Sequence, residues 1–153
     1  MEFLVLSRAQ IESGEHIPAD LRHIIISITN PIVNEESMIL WPPAAIPDNP
    51  NCHGILRLTF WDADRKKNGL DEIFTNDHAT QILRFVKRHK DIDLIVAQCE
   101  AGRSRSAGTI ASLTKLHGQD DNKWFKMKTP NMLVYRTILN MAHKMKMDFS
   151  DRN

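Results

Sequence analysis

The run Cys99-Glu100-Ala101-Gly102-Arg103-Ser104-Arg105-Ser106 combines a nucleophile with the means to hold an anion. It arrives straight out of the apolar stretch Leu94-Ile95-Val96-Ala97. A cysteine between the end of a strand and the start of a helix has its sulfur near the backbone N–H groups of the turn and the positive end of the helix dipole, and both favour thiolate over thiol. The same donors suit a phosphate dianion. Arg105 follows at a spacing that lets its planar fork close over the other phosphate oxygens, bidentate where a lysine is only a point charge. Gly102 allows the backbone to turn tightly around the anion. The amides of Glu100, Ala101, Gly102, Arg103, Ser104 and Arg105 complete an electrostatic cradle. The chemistry this implies is attack on a phosphate ester by a thiolate.

Cys-x5-Arg-Ser with Gly at the third position after Cys resembles the signature loop of the cysteine-dependent protein tyrosine phosphatases. The shortness of the chain points to their compact, dual-specificity-like branch. The resemblance extends weakly to Pro130-Asn131 opening a late helix, and covers roughly Leu56 to Leu139; only the signature loop is specific. The family usually places a His before the nucleophile, where this chain has Gln98. That difference bears on how far the thiol pKa is depressed, not on whether a nucleophile is present.

Phosphate-ester hydrolysis through a cysteine needs an ionised nucleophile, charge stabilisation for the transferring group and a proton donor for the leaving oxygen. Cys99 and Arg105 supply the first two. The resemblance implies an acidic residue on a loop after an upstream strand, and Phe60-Trp61-Asp62-Ala63-Asp64 occupies that place. Asp62 is favoured as the acid, and Asp64 is the near alternative. Ser106 matches the hydroxyl that hydrogen-bonds the sulfur and helps it leave when the phosphocysteine is hydrolysed; as a plain helix-start residue it would satisfy a backbone N–H. Arg103 is either a pocket-rim charge or a solvated side chain, Trp61 either a loop anchor or core. Glu100 puts a negative charge in the loop, which disfavours polyanionic substrates such as phosphoinositides. No metal or other cofactor is implied. Cys52-His53 lacks a further Cys/His cluster at zinc spacing, and a Cys52–Cys99 disulfide would require the two to be neighbours in space.

A chain of 153 residues with 42% hydrophobic content fits one domain, 1–153, with a substantial core. A net charge of +1 gives no global basic field of the kind that marks nucleic-acid binders, so anion recognition is local and nucleic acid is not the expected partner. No apolar run approaches membrane-spanning length, and the two cysteines fit a soluble, cytoplasmic protein in a reducing compartment.

Four β-rich runs, at Phe3–Leu6, Arg22–Ile28, Ile55–Phe60 and Leu94–Ala97, are expected to be strands. Between the last two, Ala79, Ile82, Leu83 and Val86 fall on one helical face, with Asn76 or Asp77 as the cap. A second helix is predicted from near Arg105 to Leu116, stopped by Gly118. A third opens at Thr129-Pro130, with Thr129 capping, and carries Met132, Tyr135, Leu139, Ala142 and Met145. Trp41 to Asn51, rich in Pro and Asn, reads as a linker. His78, His89, His117 and His143, in or beside helices, are expected at the surface or an interface. The alternation argues for a single α/β domain with a central, mostly parallel sheet flanked by helices and Cys99 at the carboxyl end of a strand, where such sheets bind ligands.

The leading functional expectation is hydrolysis of phosphotyrosine, with phosphoserine and phosphothreonine also open, in a phosphorylated protein or small phosphomonoester. An RNA 5′-phosphate, a nucleotide or a phosphoinositide is the alternative substrate, and a catalytically weak phosphate-binding module the alternative class, Gln98 being its one support. A sulfurtransferase would not require the Arg105-Ser106 pair.

Overall fold

Runs of β-branched and large aliphatic residues form four strands, β1 (Glu2–Leu6), β2 (His23–Thr29), β3 (Cys52–Thr59) and β4 (Leu94–Gln98). They join in one sheet, order β1-β4-β2-β3, and every neighbouring pair is parallel. The computed structural model describes residues 1–31, 42–67 and 71–152. Parallel strands need crossover connections: α1 (Arg8–Ser13) lies between β1 and β2 and α2 (Asn76–Arg88) between β3 and β4, while α3 (Arg105–Leu116), α4 (Asn122–Met127) and α5 (Met132–Lys144) follow the last strand, then a 3-10 turn at Ser150–Arg152. The chain is thus an α/β domain with an all-parallel sheet flanked by helices.

The two central strands, β2 and β4, are buried along their whole length, which explains why their sequences are nearly continuous hydrophobic runs. Alternate residues feed two cores. Ile24, Ile26, Ile28, Ile95 and Ala97 pack with Ile82, Leu83 and Val86 of α2, Ile110 and Leu113 of α3, and Val134 and Ile138 of α5. On the other face Ile25, Leu94 and Val96 join Ile11 of α1 and Ala44 in a smaller cluster. β3 lies at the end of the sheet order and alternates between half-buried and exposed side chains until Leu58.

Several boundaries differ from expectation. α2 is capped by Thr75, whose hydroxyl accepts from the His78 amide while the Thr75 N–H donates to His78 Nδ1, so Asn76 and Asp77 already lie inside the helix. α5 is capped by Asn131, whose Oδ1 accepts from Val134 N at 3.1 Å. Thr129 and Pro130 form a lead-in instead, because the Thr129 and Asn131 amides donate to the carbonyls of Arg103 and Ser104. α1 and α4, six residues each, are too short to show a period in the sequence. β3 starts at Cys52, three residues before the expected Ile55. The linker reading began at Trp41, outside the described residues; from residue 42 the segment has no regular element, yet Ala44 and Ile46 dock on the smaller core.

His117 is fully buried, against its expected place at the surface or an interface, with Phe3 edge-on at 5.3 Å and Phe149 stacked at 5.2 Å. The chain end that brings Phe149 there also serves α2: Arg152 donates Nη1 to Val86 O and Nη2 to Lys87 O, satisfying carbonyls of its last turn. Cys52 and Cys99 are both free. Cys52 starts its strand and Cys99 follows the end of β4 at the opposite edge of the sheet, too far apart for a disulfide. Among the described residues no helix is long and apolar enough to cross a membrane.

Candidate active site

β4 delivers Cys99 to the carboxyl edge of the sheet, and α3 begins six residues later at Arg105. The intervening loop presses on the β1–α1 turn. Gly102 has φ +65°, and a Cβ there would lie 2.5 Å from Ser7 N and 2.7 Å from Leu6 C, so both conformation and space require glycine. Cys99 N donates to Leu6 O at 3.3 Å and Arg8 N to Glu100 O at 3.1 Å, tying the loop to β1 and α1. The Glu100 carboxylate pairs with Arg8 Nη1 at 3.0 Å. Its charge is thereby offset within the protein, which weakens the expected repulsion of polyanions.

Cys99 is 2% exposed, and its Sγ lies 3.0 Å from the hydroxyl of the fully buried Ser106. A hydroxyl at that distance can donate to a thiolate, stabilising its charge. Arg105 is 5% exposed. Its Nη1 donates to Asn30 Oδ1 at 2.7 Å, just beyond β2, and to Phe60 O at 2.9 Å, just beyond β3. Its Nε is buried with no protein partner among the described residues. A buried guanidinium nitrogen left unsatisfied is costly. An oxyanion seated in the loop would satisfy it by the fork geometry that carboxylates and phosphates share.

The structure separates the two acid candidates. Asp62 Oδ1 accepts from Ser104 Oγ at 2.7 Å and from Asn131 Nδ2 at 2.9 Å, so this carboxylate is bound to the signature loop itself. Asp64 makes no such contact among the described residues; it lines the adjoining groove with Lys67. The segment carrying them is held by Trp61 N donating to Glu72 O and by Phe60, buried against Phe74 and His78. Half-buried Trp61 therefore anchors this segment through its backbone. Burial also pushes the His78 pKa down. Arg103 is exposed at the rim.

Asn30 and Asn131 were not singled out by sequence reasoning as site residues. Asn131 bridges: its oxygen caps α5 while its nitrogen donates to Asp62 and, at 3.3 Å, to Ala63 O. The approach is close, because a Cβ on Gly108 of α3 would lie 2.6 Å from Asn131 O. The visible signal for Asn131 was the Pro-Asn pair at a helix start; Asn30 carried none beyond ending a strand.

Gln98 occupies the position before the nucleophile. Arg57, Ser27 and Gln98 stand in register across β3, β2 and β4. Arg57 Nη1 donates to Ser27 Oγ at 2.9 Å, and Ser27 donates to Gln98 Oε1 at 2.6 Å. The amide beneath the loop is thus fixed by a hydrogen-bonded row that ends in a cation.

No family model matches the chain, and no curated protein matches it. Among solved structures it is similar to crystal structures of human DUSP28 and of a point variant of that protein. Each has a TM-score of 0.54 and 15% sequence identity over 94% of this chain, covering 90% and 91% of theirs respectively. The fold is that of a dual-specificity phosphatase. At this identity the likeness carries the architecture, and in this dual-specificity phosphatase fold the strand-to-helix turn after β4 holds Cys99, Ser106 and Arg105 together, with Asp62 alongside.

Proposed function

We propose that the protein is a cysteine-dependent phosphatase acting on phosphotyrosine, and on phosphoserine or phosphothreonine, in phosphorylated proteins of a reducing compartment where a thiolate survives. One observation carries the reading: the Asp62 carboxylate is bound to Ser104 of the loop that joins Cys99 to Arg105, so nucleophile, cation and acid converge on one turn of chain.

In this mechanism the Cys99 thiolate attacks phosphorus. A P–S bond forms as the bond to the leaving oxygen breaks, and protonated Asp62 gives its proton to that oxygen. The loop amides and Arg105 hold the three non-bridging oxygens, and the anchors on Asn30 and Phe60 fix the guanidinium before substrate arrives. A water then attacks the phosphocysteine, giving its proton to Asp62, while the Ser106 hydroxyl donates to the departing sulfur. Orthophosphate and free thiolate result. No step requires a metal.

The test is hydrolysis of a small aryl phosphate with and without vanadate and a chelator, in wild type and Cys99→Ser. Turnover blocked by vanadate, unaffected by chelator and lost in Cys99→Ser is the expected outcome. Normal turnover by Cys99→Ser would sink the mechanism, and tight vanadate or phosphate binding without turnover in wild type would make the protein a phosphate-binding module.

A further inference from the structure

The C-terminal half of α2 presents a run of like charge away from the signature loop. Arg84, Lys87 and Arg88 stand three and four residues apart on its exposed face, and with Lys90 and half-buried Met147 they line a groove of about 440 Å³ that has no carboxylate in its lining. A second groove of about 360 Å³ continues it, sharing Lys87, Lys90 and Met147 and adding Lys146 and Arg152 against Asp148 and Asp151. The two form one elongated trough with six cations and two acids, in a chain whose net charge is only +1. Asp148 is already engaged, its carboxylate accepting from Ser150 N at 2.7 Å. Among the described residues the lysine and arginine ion pairs are those of Arg8 and Arg22, so none of the cations in the trough is neutralised by one. Lys87 and Arg88 lie in the last turn of α2 and complement the helix dipole there. Arg84, a turn earlier, and Lys146, from another element, have no such role.

The backbone at Lys146 points the same way. α5 ends in a turn where Lys146 N donates to His143 O and Met147 N to Ala142 O, and Lys146 takes φ +55°. Glycine ordinarily fills that left-handed position, and Lys146 is the one non-glycine residue with positive φ among the described residues. A cation lining the trough is thus kept where the fold alone favours glycine.

We propose that this trough docks an acidic segment of a partner protein, an extended stretch of Asp and Glu. The elongated, concave form suits an extended chain. Its apolar lining residues are half-buried Met147 and Phe149, the latter buried with the Arg152 guanidinium 4.8 Å above its ring, so no ring is open for a base to stack on and no apolar side chain projects to enter a bilayer. α2 leads to the first residue of β4, and Cys99 follows the last, about 16 Å along the strand. A segment docked in the trough leaves the signature loop open, so docking is independent of turnover at Cys99.

The experiment measures, by fluorescence anisotropy at low and high salt, binding of a labelled peptide of eight Asp and Glu residues beside the matching peptide of Asn and Gln. The acidic peptide is expected to bind saturably and more weakly at high salt, and the neutral peptide not to bind. Arg84→Glu combined with Lys87→Glu should weaken binding about tenfold, whereas Lys66→Glu with Lys67→Glu, the same charge change on the Asp62 segment, should leave it within about twofold. Lys146→Gly should weaken binding about threefold without lowering the melting temperature, which separates a lost contact from a lost fold. Equal binding of the two peptides, binding undiminished by either trough variant, or tighter binding of a single-stranded oligonucleotide or of phosphatidylserine vesicles would each overturn the proposal.

Discussion

Asn131 Nδ2 donates to Asp62 Oδ1 at 2.9 Å while its own Oδ1 accepts from Val134 N, so one side chain both starts α5 and holds the Asp62 carboxylate that bonds to the signature loop. With Ser104 on the same oxygen, Oδ1 is doubly hydrogen-bonded. On the proposed mechanism this leaves Oδ2 as the oxygen that carries the proton to the leaving group.

Asp62→Asn is therefore expected to slow hydrolysis of tyrosine phosphate by about 10²-fold, within the usual effect of a positioned acid, and to slow an ester with a good leaving group much less. Asp64→Asn should change neither. Kinetics of both variants on both substrates decide between the candidates, and a leaving-group-dependent loss in Asp64→Asn alone would reverse the assignment.

Asn131→Asp keeps an acceptor for the Val134 amide but replaces the donor facing Asp62 with a like charge. It should reproduce part of the Asp62→Asn loss, again dependent on the leaving group, with a melting temperature close to wild type. A loss of equal size on good and poor leaving groups would mean that Asn131 only stabilises the fold.

Arg105→Lys preserves charge but cannot keep the hold on Asn30 and Phe60 O while also offering two parallel donors to an oxyanion. Most activity should disappear, and Arg103→Lys, at the exposed rim, should be much milder. Steady-state kinetics showing the reverse order would place the wrong arginine over the phosphate.

The row Arg57–Ser27–Gln98 predicts that Ser27→Ala, which leaves a buried Gln98 oxygen without its donor, costs about 1–3 kcal/mol of stability. Because the row holds the amide next to Cys99, Ser27→Ala should also change the rate of iodoacetamide alkylation of Cys99 at fixed pH. An unchanged alkylation rate would confine the row to stability.

Burial pushes the pKa of His117, and of His78, below the ordinary value of 6.5. In this direction the unfolded chain takes up protons before the native one, so stability is full above pH 6.5 and falls as pH drops below it. Urea midpoints measured between pH 7.5 and 5.0 should show that fall. His117→Phe, which keeps the ring between Phe3 and Phe149, should flatten the part due to His117. An identical slope in the variant would assign the fall to other groups.

The strand, the loop and the following helix are written locally, and so they were legible: Leu94 to Ala97 supplies a buried strand, Gly102 the turn, and Arg105 onward a helix that ends at Leu116 with Gly118 beyond it in a left-handed conformation. Local backbone preference and apolar periodicity decide such features within a few residues. The partners of the site residues are another matter. Arg105 meets Asn30 and Phe60 across 75 and 45 positions, Asn131 meets Asp62 across 69, and Arg8 meets Glu100 across 92. Nothing in composition or spacing encodes those meetings, because they arise where separate strands end at one edge of a parallel sheet and where α5 packs against α3. The same holds for the two carboxylates. Asp62 and Asp64 are equivalent as turn residues, and only the Ser104 hydroxyl and the Asn131 amide, brought there by the fold, determine which one touches the loop.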